Sequence, residues 1–301
     1  MDSATSIWGN GAATVLVNRS RGTIAGSTLG RRGPLRSLRW PTPNLSSLVP
    51  SPSPALPYLH IGLDNISGEG SGIGPGEFLL VTRHQVQRLA TFRPIPILSQ
   101  GKRSYHPWQI TYAYLTSTFD WDDLQTAYGS TDLLQFLGSR TQQMNRLLTE
   151  TVKAPWSSSC SYLCDAVAAA IGLYRQQAAY SGQGGLALRK LLTAKAISSA
   201  EPYPLKIRLL YQKEQPIPYL EPRPMWEQLL EDLQADLPAA AIAGRFYLGL
   251  IEGISEMVRL LAETHPISHV ALSGRLLQHP MLTYRLKRSL AEMTPQFTRV
   301  A

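Results

Sequence analysis

The sequence predicts a mixed α/β fold from residue 58 onward, and three observations predict it. Short apolar runs bounded by glycine and charge, such as GEFLLVTR at 76–83, read as buried strands. Ala-rich and 3.6-periodic segments, the longest at 238–264, read as helices. The two kinds alternate along the chain, which favours α/β over an all-helical fold.

Taken in order, HIGLDN at 60–65 and GEFLLVTR are strands flanking a glycine-rich stretch. PWQITYAYL begins with Pro107 near a helix start, where proline costs no hydrogen bond. STDLLQFLGSRTQQMNRLLTE at 130–150 has a Ser/Thr/Asp entry and apolar residues three and four apart, predicting a helix. CDAVAAAIGLYRQQA at 164–178 is Ala-rich and helix-favouring. PLKIRLLYQ alternates as a strand does, and PRPMWEQLLEDLQAD confines its prolines to a helix start. At 238–264, Ile242, Phe246, Leu250, Ile254, Met257 and Leu261 form one buried stripe, ended by His265-Pro266. SHVALSGRLLQHPMLTYRLKRSL at 268–290 then reads as a short strand, a Ser-Gly turn and a basic helix.

Composition separates two regions. The formal charge is +8, but residues 1–57 hold six arginines against the single acid Asp2, a balance of +5. Residues 58–301 carry only +3, so the basicity belongs to the N-terminal segment. That segment is rich in Ser, Pro and Arg and buries little, so it is expected to stay extended or disordered. It fits a linker or remnant, and also the composition of an organelle transit peptide. It carries no recognised nucleic-acid motif, and no nucleic-acid partner is expected. No run of 18 apolar residues exists, so no membrane span is expected. Two cysteines imply no disulfide framework, making a reducing cytoplasm the default.

Chemistry by motif is sparse. The glycine-rich stretch after LDN offers no G-x-G-x-x-G and no Walker ending, so a tight strand connection is the simplest reading. ALSGRLLQ at 271–278 could aim backbone N–H groups at an anion through its strand-turn-helix layout. Cys160 and Cys164 stand four apart with no zinc-like partner spacing nearby and read as core packing. His265 and His269 are separated by a proline that breaks the helix a metal pair would need. No nucleophile elbow or H-E-x-x-H occurs.

A resemblance supplies what the motifs do not. APWSSSCSYLCDAVAAAIGLYRQQAAYSGQGGLAL at 154–188 is similar to AP-x-(T/A)SS-x-GRLFDAVAA-x-LG…SYEGQAA-x-x-L of the hydrogenase maturation carbamoyltransferase family, HypF. GPGEFLLVTRHQVQRLATFRPIPI resembles its WGGEFLL…LRPVPL, and GKRSYHPWQITYAYL its GG…REPWR-x-x-LAYL. YLEPRPMWEQLLEDL resembles LDPRPLL…IL-DL, AAIAGRFYLGLIEGI resembles IAARFHN-LAEAI, and ALSGRLLQHPMLTYRL is similar to LSGGVFQNRLLLE-L. These pieces arrive in family order over roughly residues 60–290. At the N-terminus, Asp2-Ser3 and VLVNRSRG are similar to the DDSV…VLRRSRGYAP edge of the family's adenylating domain.

The resemblance implies an actin/hexokinase-like (ribonuclease H-like) nucleotide-binding fold, shared with the tRNA threonylcarbamoyl-transfer enzymes. It implies residues 58–301 as the C-terminal carbamoyltransferase-like domain and 1–57 as a basic segment, a possible remnant of the adenylating domain. In the family, carbamoyl phosphate and ATP give a carbamoyl-adenylate, whose carbamoyl group passes to the partner HypE near a histidine- and aspartate-held metal. The nucleotide-binding positions it assigns here are Asp64, Asp165, Tyr180, Gly182, Gln183, Ser273 and Gly274.

Departures fall at the places where chemistry is done. LDGTGYG becomes Asp64-Asn65-Ile66-Ser67, and Ile66 offers neither a hydroxyl nor the freedom of glycine. Gly-Arg becomes Ser161-Tyr162, the carboxylate of YEGQAA becomes Ser181, and the His-Asn of ARFHN is Tyr247-Leu248. SGGVFQN becomes Ser273-Gly274-Arg275-Leu276-Leu277-Gln278-His279. Neither the histidine-rich metal motif before the glycine stretch nor the distal aspartate-glycine motif is found, so no metal ligand and no catalytic residue is assigned. An alternative parse reads HIGLDN as the family's HIGDLDN, joined across a deletion to SGEGSGIGPGEFLL. The expectation is a catalytically impaired homologue that acts by binding, with a HypE-like protein or a second copy as partner. The alternative is a shortened but active transferase, for which ATP or carbamoyl-adenylate and a metal would be the cofactors.

Overall fold

In the computed structural model, residues 15–18, 57–64, 76–83, 85–97, 105–140, 142–143, 146, 156–198, 200–212, 215–267 and 269–293 are described. The chain divides into two units: Met1–Arg93, Lys206–Glu221 and Ile251–Ala301 form the first, Pro94–Leu205 and Pro222–Leu250 the second.

The first unit is built on a seven-stranded mixed sheet. Its strands are β1 (Val15–Asn18), β2 (Tyr58–Gly62), β3 (Glu77–Val81), β4 (Val86–Phe92), β7 (Lys206–Gln212), β8 (Gln215–Glu221) and β9 (His269–Ser273), in the order β1-β9-β2-β3-β4-β8-β7. β2, β3 and β4 are antiparallel neighbours, whereas β2 pairs with β9 in parallel, Gly62 opposite Ser273. All five residues of β2 and of β3 are buried. A run buried on both faces is why GEFLLVTR lacks strict polar alternation. The N-terminal segment contributes β1, antiparallel to β9.

In the second unit β5 (Ile95–Pro96) pairs with β6 (Trp156–Ser157). Its helices are α1 (Pro107–Thr118), α2 (Trp121–Tyr128), α3 (Asp132–Gly138), α4 (Cys160–Ala170), α5 (Gln183–Lys190), α6 (Ala194–Ser198) and α7 (Arg223–Gln234). α8 (Ala239–Thr264) starts there and runs into the first unit, which also holds α9 (Pro280–Met293). Asp120 caps α2 by accepting the Asp122 and Asp123 N–H groups, and Thr131 caps α3 through Leu134 N–H. Arg175 closes α4 by donating to the Ala169 and Ala170 carbonyls at 2.8 and 3.0 Å, placing a cation at a helix C-terminus.

Two helices are shorter than their patterns suggest. α4 ends at Ala170, two residues before Gly172, and α3 ends at Gly138, with residues 142, 143 and 146 helical again after a turn. The remainder of the helix expected to 150 lies mostly outside the described residues, as do 65–75 of the glycine-rich stretch, with Asn65, Ile66 and Ser67, and most of 1–57. The stripe on α8 is as expected, from Ile242 at 1% exposure to Leu261 at 2%.

Candidate functional site

The expected nucleotide-binding residues fall into two groups, one in each unit. In the first, β2 and β9 run side by side in parallel, and their carboxyl ends carry Leu63-Asp64 and Ser273-Gly274. Such strand ends are where open α/β sheets take ligands. Leu63 N–H donates to the Ser273 carbonyl at 3.0 Å, extending the pairing by one residue. Asp64 Oδ2 accepts the Arg275 N–H at 2.7 Å, so the carboxylate closes the turn after β9. Gly274 is needed there: its φ is +133°, and a Cβ would lie 3.1 Å from Leu63 Cβ and 3.2 Å from Asp64 N. Below the turn, His60 Nε2 and Ser273 Oγ are hydrogen-bonded at 3.0 Å. Burial holds His60 neutral and pushes its pKa down to about 4.

The second group surrounds Asp165 on α4, which is 0% exposed. Its Oδ2 accepts the Tyr105 hydroxyl at 2.8 Å and the Gly182 N–H at 2.6 Å, and its Oδ1 accepts the Gly185 N–H at 2.8 Å. A carboxylate from one helix therefore caps the start of another, a charge-favourable place for it. Gly182 precedes α5 at φ +94° and has no side chain with which to cap it. Gly185 cannot carry a Cβ without meeting Cys164 Cβ at 2.8 Å. From α8, the buried Tyr247 hydroxyl donates to the Gly185 carbonyl at 3.1 Å. Burial raises the Tyr247 pKa far above its ordinary value, so it stays a neutral donor.

The structure thus brings Asp165, Gly182 and Gln183 together but spends them on the fold. Gln183 Oε1 accepts the Ala179 N–H at 2.6 Å, while Tyr180 stands 49% exposed beside them. Sequence reasoning missed Tyr105, whose ring stacks on Tyr162 at 6.3 Å. The available signal was positional: Tyr105 and Tyr162 stand where REPW and GRLF carry arginine, and Ser181 where YEGQ carries a carboxylate.

Other matched charges also point inward. Arg93, of the FRPIPI run, pairs with Glu221, of YLEPRP, and the Tyr219 hydroxyl donates to the same carboxylate. Arg245 and the Tyr203 hydroxyl both reach Asp232 at 2.5 Å. Cys160 and Cys164 are free and buried, consistent with packing. Among the described residues no three His, Cys, Asp or Glu side chains gather as metal ligands. Nor is any described helix long and apolar enough to cross a membrane.

Residues 68–299 match the family model for the carbamoyltransferase, Kae1-like domain, second subdomain. The chain is 24% identical over 239 residues to carbamoyltransferase HypF of Rhodobacter capsulatus, covering 74% of this chain and 28% of that protein. It is 27% identical over 234 residues to carbamoyltransferase HypF of a Synechocystis species, covering 71% and 28%. Two solved structures are similar. Full-length HypF in its phosphate- and nucleotide-bound form superposes with a TM-score of 0.60 at 18% identity, over 79% of this chain and 29% of that one. HypF of T. kodakarensis gives 0.58 at 19%, over 78% and 30%. The chain spans less than a third of the length of these relatives. Their likeness establishes the Kae1-like fold of the actin and ribonuclease H class.

Proposed function

Because the chain belongs to the carbamoyltransferase family with the Kae1-like domain, we propose that it serves [NiFe] hydrogenase maturation by binding rather than by transferring carbamoyl groups. One observation carries the reading: buried charged residues that match family motifs are committed to internal contacts. Asp165 caps α5, Glu221 neutralises Arg93, and Asp232 holds Arg245 and Tyr203. At positions where the family motifs carry charge, neutral Tyr162 and Ser181 stand instead. Transferring a carbamoyl group requires stabilising charge that develops on phosphate and carbonyl oxygens, which neutral hydroxyls do poorly. The partner this reading assigns is a HypE-like maturation protein.

The test is direct. Purified protein with ATP and carbamoyl phosphate should release pyrophosphate and AMP no faster than a blank, with or without a HypE-like protein. Turnover above the blank would establish the alternative, a shortened active transferase. That alternative draws on the first unit, where Asp64, Ser273 and Gly274 keep a turn at the ends of two parallel strands.

A further inference from the structure

Among the described residues two that are not glycine hold a positive φ, Tyr174 at +50° and Asp236 at +53°. Asp236 follows the end of α7. Its N–H donates to the Leu233 carbonyl at 3.3 Å, and the Leu237 N–H to the Asp232 carbonyl at 2.9 Å. That closing pattern usually takes glycine where Asp236 stands. A carboxylate is doubly out of place there, in left-handed backbone and at the negative end of a helix. After α4, Gly172 and Leu173 already close the helix, their N–H groups donating to the Ala169 and Ala168 carbonyls at 3.1 and 2.8 Å. Tyr174 then turns the chain so that Arg175 reaches back to the last carbonyls. Glycine would make that turn without strain, yet a bulky ring stands there, 46% exposed.

Each strained residue lines a cavity of the second unit. Asp236 borders one of about 320 Å³, and Tyr174, with Phe136, borders one of about 540 Å³, both in the size class of small-molecule sites. Asp132 and Arg175 line both, so the cavities adjoin at their ion pair. Of the five Arg175 N–H groups, three are used on Ala169, Ala170 and Asp132, which leaves two without a partner among the described residues. The Asp132 side chain is 86% exposed, so it holds the guanidinium weakly and a second anion can share it.

We propose that the paired cavities bind a free α-amino acid with an aromatic side chain. An arginine beside an aspartate sets a positive and a negative group side by side, complementary to a carboxylate and an ammonium on one carbon. Arg175 takes the carboxylate through its unused N–H groups, a fork that suits two oxygens. Asp132 and Asp236 take the ammonium. The ligand's ring enters the larger cavity against Phe136 and Tyr174, where ring pairs attract beyond the area they bury. Strain at Asp236 and Tyr174 is then kept for binding rather than for the fold.

The experiment is calorimetry of the full chain with L-phenylalanine, beside phenylalaninamide, N-acetylphenylalanine and alanine. Phenylalanine should bind the wild type saturably and at least tenfold more tightly than each of the other three. The amide and the acetyl compound stand for the two ends of a peptide, so equal binding of either would overturn the free amino acid as ligand. Asp132→Asn and Asp236→Gly should each weaken phenylalanine at least fivefold, and Tyr174→Gly should bring it down to the affinity of alanine. Asp236→Gly and Tyr174→Gly put glycine where the backbone is left-handed, so neither should lower the thermal midpoint. A lower midpoint would mean that the side chain serves the fold and not a ligand. No saturable binding of phenylalanine by the wild type, or unchanged affinity in Asp132→Asn and Asp236→Gly, would equally overturn the site.

Discussion

His60 shows how one buried side chain makes stability depend on pH. Its pKa falls from 6.5 in the unfolded chain to about 4 in the fold, because burial beside Ser273 penalises the imidazolium. Above pH 6.5 both states are neutral and nothing is lost. Between 6.5 and about 4 the unfolded chain binds a proton that the folded chain refuses, so stability falls as pH falls. The full effect is roughly 3 kcal/mol, of which about 1 kcal/mol has gone by pH 5.5. His60→Gln keeps a hydrogen-bonding partner for Ser273 and removes the titration. Urea unfolding at pH 7.0 and 5.5 should show the wild type losing about 1 kcal/mol more than the variant. Equal losses would mean that the imidazole takes up its proton in the fold as readily as in water. The same residue marks what was legible at this scale. Of HIGLDN, read as a strand, His60–Gly62 lie in β2, but the Ser273 partner of His60 lies 213 positions away and no local pattern announces it.

Among the elements, those carrying their own period were readable and those defined by neighbours were not. The α8 stripe and the β9-turn-α9 unit needed no tertiary information. β8 was missed because QPIPYLE carries Pro216 and Pro218, which argue against a strand. Standing two apart, they remove N–H groups from one edge only, and pairing with β4 begins beyond them, at Tyr219. Glycines on α8 hold a second hidden instruction. A Cβ at Gly249 would collide with the Tyr203 carbonyl, and one at Gly244 with that of Ala196, so these glycines let the 194–205 segment lie against the helix. Gly249→Ala should therefore cost about 3 kcal/mol despite alanine's higher helix propensity. Gly138→Ala, whose Cβ meets only Gln125 Nε2 at 3.7 Å, should be neutral or stabilising by about 0.5 kcal/mol. Thermal midpoints of the two variants measure the contrast. A harmless Gly249→Ala would mean that the segment is not seated on α8 in solution.

Across the whole molecule, charge matched to the family motifs is spent on folding, and that allocation can be measured. Glu77 pairs with Arg88 and Arg93 with Glu221 in the first unit, while Asp232 pairs with Arg245 in the second. Membership of Glu77, Arg93, Glu221, Asp232 and Arg245 in motifs was visible in the sequence. Their pairing was not, because Arg93 and Glu221 are 128 positions apart. Glu221→Gln would leave the buried Arg93 without its counter-charge and should cost about 3 kcal/mol. Adding Arg93→Met should restore much of that loss, since an apolar side chain carries no desolvation cost. Asp232→Asn strands Arg245 in the same way and takes a charged acceptor from the Tyr203 hydroxyl, costing about 3 kcal/mol. The Arg93 and Tyr219 contacts of Glu221 and the Arg245 and Tyr203 contacts of Asp232 are made by different residues, so the double variant should lose the sum of the single losses to within about 0.5 kcal/mol. Urea titrations of the four proteins provide the cycle. A coupling well above 1 kcal/mol would mean that the two charge clusters hold a common element, and that motif charges act across the molecule rather than within each unit.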